Sequence, residues 1–157
     1  MIIFLDIDGP VIPNTMFFFD GAASQNRTMS NAVIGILNWI CKKSGAKIVT
    51  NSTHNNYVTQ DGENLRDALI RNGLEESHLH SSWHTVYNIS SDSRMRSIEY
   101  WLMKNHMEDI KWICFDDMDF TKKHNLIKVD PDDGLQYHHA KLALTKLGIK
   151  TGTLITF

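Results

Sequence analysis

Only two cysteines occur in the 157 residues. Cys41 falls in an apolar helical pattern and Cys114 in an apolar strand pattern, so both read as core side chains rather than a disulfide or a metal pair. Neither sign of charge is in excess. The formal net charge is −2 and the isoelectric point is near 6.4, which argues against a large nucleic-acid-binding face and leaves room for a local basic patch. No apolar run approaches the ~20 residues that span a bilayer. The N-terminus has no basic region and no cleavage site, so no signal peptide is expected. Internal repeats and low-complexity tracts are also missing. Hydrophobic residues at 42% and charged residues at 22% are ordinary for a globular chain, and the length suits one domain over 1–157. The expectation is a cytoplasmic protein.

What is present is concentrated in the first nine residues, Met1-Ile2-Ile3-Phe4-Leu5-Asp6-Ile7-Asp8-Gly9. A short β-branched and aromatic run leads straight into Asp-x-Asp-Gly, as a fully buried strand of a parallel sheet does. Ligands of such sheets bind at the carboxyl ends of the strands. Residues two apart on a strand tip face the same way, so the carboxylates of Asp6 and Asp8 are expected to crowd unless a cation lies between them or one holds a proton. A solvated turn is the plainer reading of these four residues. A calcium loop is excluded, because Pro10-Val11-Ile12-Pro13-Asn14-Thr15 supplies none of the further acids it needs.

The rest of the chain alternates helix and strand. Pro10 and Pro13 break residues 10–29, where Phe17–Phe19 between turn residues predicts a short hairpin or flap over the site, or a cover on the sheet edge. A helix is expected at 30–44, capped by Ser30 or Thr28 and stopped by Lys42, Lys43 and Gly45. A strand, Ala46 to Thr50, then runs into Asn51-Ser52-Thr53. Residues 54–93 are less regular, with a short helix over 64–71 and a strand within 78–87. A helix follows at about 94–105, capped by Ser93 and turning Met95, Ile98, Trp101 and Leu102 inward, then strands at 111–115 and 126–129. A last helix spans 136–147, and residues 153–157 read as an edge strand. Strand–helix alternation implies an open α/β sheet with helices on both faces. Three strands end in polar residues: Asp6 with Asp8, Thr50 with Asn51, and Asp116 with Asp117. Parallel strands bring all three tips to one edge, which the turn reading does not account for.

This pattern resembles the haloacid dehalogenase (HAD) superfamily of phosphatases, whose four motifs can all be placed in order. The first is Phe4-Leu5-Asp6-Ile7-Asp8-Gly9. The second is Ile48-Val49-Thr50-Asn51-Ser52, with Thr50 favoured as its key residue because it directly ends the apolar run. The third is the basic residue near a helix start, Arg94 or Arg96. The fourth is Ile113-Cys114-Phe115-Asp116-Asp117. The stretch from Trp112 to Gly148 is similar to the small phosphatase domains attached to RNA-repair proteins. In that branch the second strand tends to end in a serine run followed by Trp-Arg, where this chain has Asn51-Ser52-Thr53-His54-Asn55.

The resemblance implies a three-layer Rossmann-like α/β fold with a central parallel sheet and a minimal cap. It implies Asp6 as the nucleophile that forms an aspartyl-phosphate, Asp8 as general acid–base, and Thr50 and Arg94 as catalytic partners. Gly9, Asn51 and Ser52 would meet the substrate. Mg²⁺ would be held by Asp6, the Asp8 carbonyl, Asp116 and Asp117. Both cap insertions, at about 10–29 and 54–93, are short. An open site admits a nucleotide or a polynucleotide end, closed by a flap or by a partner copy in a homo-oligomer, and Trp83, Tyr57 and Phe17–Phe19 are candidates to stack on a base. The alternatives are a phosphatase for another small metabolite and a non-catalytic module that binds phosphorylated ligands. The histidines (His78, His80 and His84, then His138 and His139) lack the spacing of zinc ligands. His54 stands apart from them, just past the tip of the second strand.

Overall fold

Along β1 (Ile2–Leu5) alternate side chains enter two different cores. In the computed structural model, which describes residues 1–19, 29–56, 62–86, 93–120 and 124–150, Ile3 and Leu5 point to one face of the sheet. Ile2 and Phe4 point to the other. All four are at most 1% exposed, so the strand carries no polar side and has to be central.

Five strands form one parallel sheet: β1, β2 (Lys47–Thr50), β3 (Leu79–His84), β4 (Trp112–Asp116) and β5 (Leu126–Lys128). Their order is β3-β2-β1-β4-β5, with every pairing parallel. The chain winds outward from β1 in one direction, then returns to the other side of β1 with β4. That reversal puts a crevice at the carboxyl ends of β1 and β4.

Helices cover both faces. On the Ile3 and Leu5 face lie α2 (Asn31–Ser44), α3 (Leu65–Arg71) and α5 (Tyr137–Leu147), which follow α1 (Asn14–Phe19) and bury Leu37, Ile40, Leu65, Leu69, Ala143 and Leu144. On the Ile2 and Phe4 face lies α4 (Ser93–Lys104), which buries Ile98, Trp101 and Leu102. Trp101 and Trp112 both meet the Phe4 ring edge-on. This is the expected three-layer α/β arrangement. Both cysteines lie in these cores, where burial pushes the Cys41 thiol up to about 12 and the Cys114 thiol well above its usual value.

The structure departs from the sequence reading in places. Phe17–Phe19 belong to α1 rather than a hairpin, because Pro13 starts a helix from its N-terminal flank as readily as it breaks a strand. Ser30 holds the cap position of α2, but its side chain makes no capping hydrogen bond. Thr28, Tyr57 and the edge strand expected over 153–157 lie outside the described residues, and so do the side chains of Phe17–Phe19 and Ser93. No helix among the described residues is long and apolar enough to cross a membrane.

Candidate active site

Register alone brings the strand tips together. Leu5 pairs with Thr50 on one side and with Phe115 on the other, so Asp6 emerges between Asn51 and Asp116. The Asp6 amide donates to the Phe115 carbonyl at 3.0 Å, and the Asn51 amide donates to the Leu5 carbonyl at 2.8 Å.

Asp6 is 2% exposed and Asp116 is 0% exposed. The Asp6 carboxylate accepts from the Ile7 amide at 2.8 Å and from Arg94 Nη1 at 2.6 Å. The Ser52 hydroxyl lies near enough to favour the ionised form of Asp6. Asp116 accepts from the same Arg94 nitrogen and, through its other oxygen, from the Met118 amide at 2.9 Å. Asp117 completes the group: one oxygen from each of Asp6, Asp116 and Asp117 lies within 4.8 Å of the others.

Three carboxylates in so small and dry a volume disfavour their own ionisation. Burial raises the pKa of Asp6, against the pull of Arg94, the Ile7 amide and Ser52. Burial, joined by the Asp6 charge, pushes Asp116 to about 7. Burial works against the Arg94 charge too, but Asp6 and Asp116 outweigh it and hold the guanidinium firmly protonated. The donor set is all carboxylate oxygen, hard and anionic, and suits a hard divalent cation such as Mg²⁺.

Arg94 arrives here by helical phase. It shares the inward stripe of α4 with Ser97, Ile98 and Trp101, at the end of the helix nearest the strand tips. Arg96, two residues on, faces solvent. Of the two candidate bases, only Arg94 reaches the acids.

Asp8 is not part of the group formed by Asp6, Asp116 and Asp117. β1 ends at Leu5, and the Ile7 carbonyl accepts from the Val11 and Ile12 amides, so the chain turns before Asp8. The two acids therefore do not share a strand face. The Asp8 carboxylate instead meets His54 Nε2, at 3.0 and 3.1 Å from its two oxygens.

Gly9 makes the turn possible. Its φ is +84°, and a Cβ there would lie 3.2 Å from Asp117 Cβ and 3.3 Å from the Pro131 Cα. Its contribution is close packing of the first loop against the fourth-motif acid, a different matter from contact with substrate.

The second strand tip sorts its polar residues unexpectedly. Thr50 is fully buried, and its hydroxyl donates to Asn55 Oδ1 at 2.7 Å, away from Asp6. Asn51 accepts from the Thr85 hydroxyl at 2.7 Å and directs its amide to the Arg94 carbonyl at 3.4 Å. Both residues thus brace the second strand tip, and Ser52 is the hydroxyl there that bears on Asp6. Asn55 and Thr85 were missed from sequence. Asn55 donates to the carbonyls of Thr50 and Thr85 and so ties the tips of β2 and β3 together. Thr85 was findable, since it too is a small polar residue ending a strand. Asn55 had no comparable signal.

The remaining histidines have local partners. His78 Nδ1 pairs with Asn38 Oδ1, His80 packs on Trp101, and His139 Nδ1 accepts from the Gln136 amide at the start of α5. A cavity of about 730 Å³ is lined by Glu99, Lys111, Trp112, His124 and Lys146 and contains none of the site acids.

A protein family described as "HAD domain in Swiss Army Knife RNA repair proteins" matches residues 2–140. No curated protein and no solved structure matches the chain.

Proposed function

The chain belongs to the HAD domains of Swiss Army Knife RNA repair proteins, and we propose that it is a Mg²⁺-dependent phosphatase acting on a nucleotide or a polynucleotide end. The observation that carries this reading is the convergence of Asp6, Asp116 and Asp117 within 4.8 Å at the switch-point crevice, with Arg94 on Asp6 and Asp116.

Asp6 acts as the nucleophile. Its Oδ2 is aligned by Arg94 and its Oδ1 by the Ile7 amide. Attack on phosphorus forms the aspartyl-phosphate and breaks the bond to the leaving oxygen, which takes its proton from Asp8. Water then attacks the same phosphorus, gives a proton to Asp8 and releases Asp6. Dividing the displacement in two lets each half proceed with a positioned group. Arg94 and the Ser52 hydroxyl offset negative charge on the transferring oxygens. Asp6, Asp116 and Asp117, with the Asp8 carbonyl, would hold Mg²⁺. The ion supplies charge neutralisation for a phosphoryl group facing an anionic nucleophile.

The family's name supports a nucleic-acid-related substrate, since it is named for RNA repair.

Phosphate release from a panel tests the reading. It would hold p-nitrophenyl phosphate, 5′- and 3′-nucleotides, and oligonucleotides with 5′- or 3′-phosphate ends, each with Mg²⁺ and with EDTA. Metal-dependent release, reduced at least about a thousandfold by Asp6→Asn, is expected, with preference for one nucleic-acid class. Full activity in EDTA would sink the metal assignment, and near wild-type turnover by Asp6→Asn would remove the nucleophile.

A further inference from the structure

His54 is the one partner described for the Asp8 carboxylate. Its Nε2 sits almost equidistant from both oxygens, at 3.0 and 3.1 Å. Asp8 itself lies past the end of β1, and its side chain is 52% exposed. A half-exposed aspartate on a turn samples several rotamers, and a general acid has to be aligned with the leaving oxygen to be effective.

His54 is well restrained. Its side chain is 16% exposed, and it rides on the single helical turn Thr53–Asn56 that follows β2. The next residue, Asn55, is buried and bonded to Thr50 and Thr85. The His54 amide itself donates to the Ser52 hydroxyl at 3.3 Å. A largely buried imidazole therefore holds a half-exposed carboxylate. Contact of Nε2 with both oxygens fixes the orientation of the Asp8 carboxyl group.

We propose that His54 is a positioning residue that holds Asp8 in line for proton transfer to the leaving oxygen. The inference rests on the phosphatase reading. It adds a residue outside the four motifs, just past the tip of the second strand. In this role His54 acts through Asp8.

The test compares leaving groups. Nucleotide and phenyl esters need a proton on departure, whereas 2,4-dinitrophenolate leaves as the anion. For His54→Ala, kcat/KM on phenyl phosphate and on the preferred nucleotide is expected to fall at least about thirtyfold, and on 2,4-dinitrophenyl phosphate less than about threefold. His54→Gln keeps an N–H at similar reach and is expected to recover most of the loss. In an Asp8→Ala background, His54→Ala should cost nothing further. Equal losses on both ester types, or full activity of His54→Ala on phenyl phosphate, would overturn the positioning role while an active wild type leaves the phosphatase reading standing. A wild type inactive on every ester would overturn both.

Discussion

Arg94 Nη1 lies 2.6 Å from Asp6 Oδ2 and bonds the Asp116 carboxylate with the same nitrogen. Eighty-eight residues separate Arg94 from Asp6, and one buried cation joins the first, third and fourth motifs. The pair of acids it serves would otherwise repel in a site with almost no exposure to water.

Removing that cation strands two buried carboxylates. Arg94→Ala is expected to lower stability by about 3–5 kcal/mol, read from urea denaturation in EDTA. Arg94→Lys keeps a charge but not the fork geometry and should lose less. A loss below about 1 kcal/mol for Arg94→Ala would mean that the ion pair is not as buried as described.

Protonation of Asp116 gives the metal-free protein an unusual pH profile. Its carboxyl titrates at about 7 in the fold against 3.8 for an unperturbed aspartate, and Asp6 is raised in the same direction. The folded state binds more protons than the unfolded one between those limits. The stability this contributes is fully present below about pH 4 and is lost as pH rises through about 7. The melting temperature in EDTA should therefore contain a component that falls from pH 5 to pH 8. Asp116→Asn should flatten it, and Mg²⁺ should raise the melting temperature most at pH 8, where the acids are ionised. An unchanged slope in Asp116→Asn would refute the assignment.

Ser52 and Thr50 should separate catalysis from stability. Ser52→Ala removes a hydroxyl from Asp6 and is expected to lower kcat about ten- to a hundredfold with little change in urea midpoint. Thr50→Val leaves Asn55 without a buried donor and should cost about 1–3 kcal/mol, with a smaller effect on kcat. The reverse outcome would restore Thr50 as the second-motif hydroxyl.

Gly9→Ala should be destabilising by about 1–2 kcal/mol, since φ is +84° and the added Cβ meets Asp117 at 3.2 Å. It should also raise the Mg²⁺ concentration for half-maximal activity by displacing Asp117. A variant with wild-type stability and Mg²⁺ response would show that this loop has room to move.

Local pattern determined a great deal of this protein from sequence alone. Strands β1, β2 and β4 are short apolar runs ending in Asp6, Thr50 and Asp116. Strand β3 and helices α2 to α5 were also readable, because period and stop signals depend on neighbours along the chain. The convergence of strand tips follows from parallel pairing, so the acid site was legible as well. Tertiary structure decided which side chains meet. Whether Arg94 or Arg96 turns inward depends on the phase of α4 against the sheet, and whether Thr50 or Ser52 bears on Asp6 and how Asp8 meets His54 depend on where the chain stops being a strand. The period-2 rule that placed Asp8 with Asp6 holds only while the backbone stays extended, and this one turns at Ile7. Asn55 and His54 acquire their roles from the turn after β2 and its contacts with β3 and the first loop, which no local pattern encodes.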